Sequence, residues 1–235
     1  MNFRRNAFTL LELLVVIGII GVLSGILLPS LCEAKARVRT TACKSNLRQI
    51  SLALTMYVGD FHKYPSDTEW AGNTLRWDGG KLLSYVGKCR EIFVCPSRKP
   101  FVAWAQADDA FLRFSYGYNS FGSGRWESPI LGMGYWRLSY LGESQIKEPA
   151  DMIAVGDVGV GAVSDWLLNP NEELLAYDET LPGNSWLPAN RHSGGANILF
   201  CDSHVEYAAQ KRWIEKTDSS RRRWNNDHEP HRETW

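Results

Sequence analysis

The sequence has no surplus of charge of either sign. Its 235 residues carry 26 Lys+Arg against 26 Asp+Glu, and a generic electrostatic nucleic-acid binder, which needs excess basic residues on one face, is disfavoured at once. Cysteine is scarce: five in the whole chain, an odd number, which rules out a disulfide-dense scaffold. No G-x-S-x-G, H-E-x-x-H, P-loop or dinucleotide fingerprint occurs, so the usual sequence grounds for an enzyme are missing. No internal repeat is visible, and the length suits one ordinary folding unit or one and a half.

What is there begins at the amino end. Residues 8–28 contain a single charge, Glu12, and as a helix these 21 residues would span roughly 31 Å, the thickness of a bilayer's hydrocarbon core. Arg4 and Arg5 precede the run, as expected of a cytoplasmic amino end, although Lys35, Arg37, Arg39, Lys44 and Arg48 follow it. An uncleaved anchor, a removed secretory signal and a buried core helix all share this pattern. The uncharged run 13–28 ends in Leu-Leu-Pro, a poor signal-peptidase site. Glu12 adds a separate constraint: a carboxylate inside a bilayer costs at least ~2.5 kcal/mol and calls for a partner.

The stretch Arg4-Arg5-Asn6-Ala7-Phe8-Thr9-Leu10-Leu11-Glu12 resembles the class III signal of type IV pilins and type II secretion pseudopilins. The resemblance implies cleavage by a prepilin peptidase between Ala7 and Phe8, N-methylation of Phe8, and a filament-assembly role for Glu12, whose carboxylate would pair with the amino-terminal ammonium of a neighbouring subunit. The family usually has Gly where this chain has Ala7. Pro29, twenty-second after the expected cut, matches the position of a helix-kinking proline in pilins; a helix terminator would read the same. Gly21 and Gly25 form one small-xxx-small pair, a weak signal.

From residue 30 to 58 the pattern becomes amphipathic. Leu31, Ala34, Val38, Ala42, Ile50, Ala53 and Tyr57 recur at three- and four-residue steps with a gap at Asn46, which predicts a helix with one buried face, ended by Gly59-Asp60. The stretch Cys43-Lys44-Ser45-Asn46-Leu47-Arg48-Gln49-Ile50 is similar to the pseudopilin subfamily with a carboxy-terminal H-X9-DG motif. Residues 59–210 read as an antiparallel-sheet domain, with candidate strands at 113–118, 135–140, 152–155, 196–201 and 204–208, and a surface excursion at 159–188. The fold class is therefore α+β and, by the resemblance, pilin-like: a long amino-terminal helix, its first half transmembrane, packed on an antiparallel sheet. Residues 1–7 would be a cytoplasmic leader.

The last two strands flank Asp202-Ser203 and predict a hairpin with a two-residue turn. His192, nine residues, then Asp202 fits the H-X9-DG pattern except that Ser203 stands in place of the final Gly. Ser at a positive-φ position costs about 1 kcal/mol or selects another turn. Val94-Cys95-Pro96-Ser97, Ser115-Tyr116-Gly117-Tyr118-Asn119 and Ala154-Val155-Gly156-Asp157 also have counterparts in that subfamily. His192, Asp202, His204 and Asp157 have the side chains of a metal or hydrolytic cluster, but backbone hydrogen bonds that fix the hairpin explain His192 and Asp202 more simply. No metal and no cofactor are expected. Cys32 and Cys43 lie too far apart on one helix to bridge; Cys89 and Cys95 are the one local pair and the candidate disulfide.

Ten Trp residues serve chiefly as core, though Trp70, Trp77, Trp104, Trp126, Trp136, Trp166 and Trp186 could instead form a surface for polysaccharide or secreted cargo. Residues 211–235, with seven Lys/Arg, five Asp/Glu and little apolar content, read as a loosely ordered tail; Arg221-Arg222-Arg223 is too short for a nucleic-acid site. The expected protein is not an enzyme. It is a pseudopilin-like filament subunit, single-pass in a bacterial inner membrane with its carboxy-terminal domain periplasmic, and its partners are the prepilin peptidase, other pseudopilins and membrane lipids. A membrane-anchored binding module is the alternative. Loss of residues 1–7 would leave 24 basic against 26 acidic side chains.

Overall fold

A computed structural model describes residues 9–66, 80–98, 115–124, 131–134, 141–158, 167–171 and 187–235. The first element, α1 (Leu10–Phe61), is a single 52-residue helix. The chain divides into two compact units, Met1–Val38 and Arg39–Trp235, with the division inside this helix.

In the first unit the described residues are all exposed or nearly so. The apolar side chains from Leu10 to Leu28 have no protein packed on them, and the segment is long and apolar enough to cross a membrane. Leu31 and Val38, expected on a buried face, are also exposed. Periodicity alone cannot report whether anything covers a helical stripe. Pro29 sits inside the helix.

The second unit begins where the stripe acquires partners. Cys43, Leu47, Ile50, Leu54 and Tyr57 are buried in steps of four, three, four and three residues, the spacing of one helical face. They pack with Tyr116, Tyr118, Met152, Val155 and Leu199 in one core, where each fully buried Leu or Ile contributes on the order of 2 kcal/mol. The helix runs past Gly59 to Phe61 and ends at His62, which adopts a left-handed φ of 53°.

After the short helix α2 (Leu82–Tyr85), four strands form one antiparallel sheet: β1 (Tyr116–Tyr118), β2 (Ile153–Asp157), β3 (Gly195–Phe200) and β4 (Val205–Ala209), in spatial order β1-β2-β3-β4. The expected strand at 135–140 and the seven Trp residues proposed as a surface lie outside the described residues. Within the expected surface excursion, Leu167, Leu168 and Asn169 are buried instead, with Leu168 NH donating to the Tyr118 carbonyl.

Strand β3 carries Ile198-Leu199-Phe200 and is buried on both faces. Leu199 faces the α1 core, whereas Ala196, Ile198 and Phe200 face a second core with Ile153, Leu168, Ala208, Trp213 and Trp224. A register shift in β2 between Ile153 and Val155 puts Ile153 in that second core and both Ala154 and Val155 in the first, the re-aiming that a bulge performs.

Trp213 and Trp224 overturn the expectation of a loose tail. Residues 210–235 form α3 (Gln210–Ile214), α4 (Asp218–Arg221) and further 3-10 turns, and both indoles are fully buried. Trp224 Nε1 donates to the Trp213 carbonyl at 3.0 Å and Trp213 Nε1 to the Ala208 carbonyl at 3.1 Å. Buried Asn119 donates to the carbonyls of Ile153 and Trp224, at 2.8 and 2.9 Å, joining tail to sheet. Arg223 pairs with Asp151 at 2.7 Å and Glu206 at 2.9 Å, with its guanidinium 4.6 Å from the Phe200 ring centroid. A low apolar fraction misled because two Trp residues supply enough buried area to hold the segment.

The β3–β4 hairpin also differs from expectation. Ser203 NH donates to the Phe200 carbonyl and Phe200 NH to the His204 carbonyl, both at 3.0 Å, so the loop has three residues, Cys201-Asp202-Ser203. Ser203 is left-handed with φ 79° while Asp202 is not. A type I′ turn needs positive φ at both central residues; a three-residue loop ending in a left-handed residue needs it at one.

Candidate functional site

Two regions carry chemistry, one in each unit. At the start of α1, Thr9 caps the helix: Glu12 NH donates to Thr9 Oγ1 at 3.2 Å, and Glu12 Oε2 accepts from Thr9 NH at 2.8 Å and Thr9 Oγ1 at 2.9 Å. This is a capping box. It holds the one carboxylate of the apolar segment at the positive end of the helix dipole, exposed and bonded to Thr9, the second residue after the expected cut. Ala7 and Phe8 lie outside the described residues.

The second region is buried in the larger unit. Cys43 from α1, Cys95 from the loop after a 3-10 turn, Asp157 from the end of β2 and His192 from the turn before β3 each offer one ligand-type atom, and these atoms lie within 4.8 Å of one another. Cys43 Sγ is 3.2 Å from Asp157 Oδ1, Cys95 Sγ is 3.2 Å from His192 Nε2, and His192 Nε2 is 3.2 Å from Asp157 Oδ2. All four residues are at most 3% exposed.

Each group is also held from behind. His192 Nδ1 meets Thr40 Oγ1 at 3.1 Å. Asn197 on β3 donates its backbone NH to Asp157 Oδ2 at 2.9 Å, and its side-chain amide to Cys43 Sγ and Asp157 Oδ2 at 3.2 and 3.1 Å. Tyr116 OH donates to Cys43 Sγ at 3.3 Å, and Ser97 NH to Cys95 Sγ at 3.4 Å. Asn46 ties α1 to the Cys95 loop by donating to the Val94 carbonyl at 3.1 Å.

Burial pushes the Cys43 thiol far up, while the hydrogen bond from Cys43 draws Cys95 down despite its own burial. For His192 burial works downward, but hydrogen bonds to Asp157 and Cys95 outweigh it and raise the imidazole. In this arrangement one sulfur holds its proton against the other, and an imidazolium sits on a carboxylate.

A nucleophilic Cys–His–Asp relay needs the thiol and the carboxylate on opposite ring nitrogens. Here both meet Nε2, and Nδ1 faces Thr40 Oγ1 and Ser97 Oγ. Two thiols, an imidazole and a carboxylate gathered within 4.8 Å form instead a four-residue donor set of the kind that takes a thiophilic divalent cation.

The site corrects several expectations. His192 does not use its side chain on hairpin backbone; it is in the buried cluster with Asp157. Asp202 and His204 are excluded from that cluster: Asp202 Oδ1 accepts from His204 NH at 3.0 Å at the exposed turn, which is the backbone role expected of Asp202. Cys95 does not face Cys89, which is exposed and donates to Glu91 Oε2 at 3.3 Å. Its sulfur faces His192 and Cys43, and all five cysteines are free thiols. Cys43, Asn197 and Thr40 carry no local signal as site residues, because Thr40 and His192 are 152 positions apart, Cys43 and Asp157 114, and Asn197 and Cys43 154. The available signal was that Cys43, Cys95, Asp157 and His192 each fall in one of the short stretches on which the sequence resemblance rests.

Residues 2–28 match the family described as the prokaryotic N-terminal methylation motif. Over 65 residues, 28% of the chain and 42% of the relative, the sequence is 39% identical to type II secretion system core protein G of Pectobacterium carotovorum subsp. carotovorum. It is 38% identical over 66 residues to the core protein G of Escherichia coli (strain K12), covering 28% of the chain and 46% of that protein. Against the type IV major pilin of Myxococcus xanthus (strain DK1622) the identity is 33% over 63 residues, 27% of the chain and 29% of the pilin. The chain thus spans less than half the length of these curated relatives. No solved structure matches it.

Proposed function

We infer that the protein is a pseudopilin-like structural subunit of a type II secretion or type IV pilus-like filament. The observation that carries this reading is the methylation motif over residues 2–28, joined to an exposed apolar helical segment, residues 10–28, whose sole charge is Glu12. A carboxylate left unpaired in a bilayer costs at least ~2.5 kcal/mol. Pairing with the ammonium of another subunit's new amino terminus offsets that cost only in an assembly, which gives the residue a purpose that a simple anchor lacks.

In this reading a prepilin peptidase cuts between Ala7 and Phe8 and methylates Phe8. Residues 8–28 cross the inner membrane once with the amino end cytoplasmic, and the sheet domain is periplasmic. Other pseudopilin subunits are the partners, and the chain performs no catalysis of its own. Mass spectrometry of the protein co-expressed with a prepilin peptidase tests this: the expected product begins at Phe8 and carries one added methyl group. A chain that still begins at Met1, or one cut after residue 28, overturns the assignment.

A further inference from the structure

The geometry points to a structural zinc site in the exported domain, formed by Cys43, Cys95, Asp157 and His192. With Zn–S of about 2.3 Å and Zn–N or Zn–O of about 2.0–2.1 Å, a tetrahedral centre places its ligand atoms about 3.3–3.8 Å from one another. With Oδ2 as the Asp157 ligand atom, the separations are 3.4 Å from Cys43 Sγ, 3.2 Å from His192 Nε2, and 3.2 Å between Cys95 Sγ and His192 Nε2, and one ligand-type atom of each residue lies within 4.8 Å of the rest.

The surroundings match a metal site better than a set of pairwise hydrogen bonds. His192 presents Nε2 to the centre and Nδ1 to Thr40 Oγ1, the outward hydrogen bond that fixes the tautomer of a ligating imidazole. The sulfurs receive Tyr116 OH, Asn197 Nδ2 and Ser97 NH, donors that stabilise thiolate rather than thiol. Asn197 is fully buried, yet its Oδ1 has no hydrogen-bond partner; its amide is turned to give both hydrogens inward. All four positions are occupied by protein and are closed to solvent, so the centre is structural and holds no reactive water.

On binding, each thiol still protonated and the His192 imidazolium release their protons to solvent, and His192 coordinates through Nε2 as neutral imidazole. Two thiolates and one carboxylate on Zn²⁺ leave one net negative charge, which the nearby Arg191 offsets. The ion joins α1, the Cys95 loop, β2 and the turn before β3, adding to the hydrogen bonds that Asn46, Thr40 and Asn197 already make among them. This inference does not depend on filament assembly.

The test is elemental analysis of the full-length chain, purified in detergent without chelator. About one zinc per chain is expected, falling at least tenfold in Cys95→Ser and in His192→Ala and unchanged in Cys89→Ser. Exchange with Co²⁺ should give thiolate charge-transfer bands and the intense visible bands of a tetrahedral site. Should the substituted chains fail to fold, the wild-type stoichiometry and cobalt spectrum still decide. Absence of stoichiometric metal, a Cys43–Cys95 disulfide in the intact mass, another metal at full occupancy, or full zinc in folded Cys95→Ser each overturns the proposal.

Discussion

Replacing Trp224 with Ala tests whether the carboxy-terminal segment is part of the fold. The indole is fully buried in the second core, which also holds Trp213, Ile198 and Phe200. A buried Trp→Ala change costs about 3–5 kcal/mol through lost transfer energy and the cavity left behind. The Trp213 carbonyl also loses the Nε1 donor at 3.0 Å, worth about 1 kcal/mol. The sum, about 4–6 kcal/mol, is a large part of the roughly 5–15 kcal/mol that stabilises a domain. At about 2–4 °C per kcal/mol for a domain of this size, Tm should fall by about 8–24 °C. Thermal unfolding of the detergent-solubilised chain, followed by near-ultraviolet circular dichroism, reads it directly. Trp235→Ala is the control: this side chain is only half-buried and its Nε1 bonds within its own turn, to the Pro230 carbonyl, so a shift several-fold smaller is expected. A change under about 2 °C for Trp224→Ala would refute the packed-tail reasoning.

Other outcomes turn on single residues. Ser203→Gly should stabilise the domain by about 1 kcal/mol in chemical denaturation, because Ser203 holds φ 79°, which is free only for Gly; a loss of stability would show that the Thr55–Ser203 hydroxyl contact at 3.3 Å outweighs the backbone. For His231 burial acts downward, but hydrogen bonds to Asp227 and Glu233 prevail and raise the imidazole. Its contribution should therefore be complete below about pH 6.5 and fade as pH rises through the higher folded value; an NMR titration midpoint at or below 6.5 would contradict it. Glu12→Ala should leave membrane insertion intact and abolish incorporation into filaments in a cross-linking assay, and normal assembly of the variant would sink the charge-pairing role.

Local signals were legible where a pattern concerns neighbours in the chain. The hairpin around Asp202, the strands near 153, 196 and 205, and the helix through residue 58 arise from alternation and helical spacing, which depend on a few adjacent residues. The buried face of α1 was legible only in part, since Leu31 and Val38 carry the same periodic signature as Ile50 and Tyr57 whether or not a partner exists. The apolar run Ile198-Leu199-Phe200 implied a strand of a hairpin, but it did not say that Trp213 and Trp224 would join a second core on one of its faces. The candidate metal centre was the least legible. Of the four side chains grouped from the sequence, His192, Asp202, His204 and Asp157, only His192 and Asp157 meet, and their other neighbours, Cys43 and Cys95, are far away in sequence.

By itself, then, the sequence determined an apolar amino-terminal helix with one carboxylate, the motif that marks it for processing, and the α+β class of the remaining chain. These rest on hydrophobicity and short-range periodicity, properties of consecutive residues. Only the tertiary structure decided which cysteines meet, which strand faces need the carboxy-terminal segment, and which imidazole nitrogen points at which partner. Those outcomes depend on long-range closure, in which the register of one sheet and the rotation of one helix bring Cys43, Cys95, Asp157 and His192 within 4.8 Å.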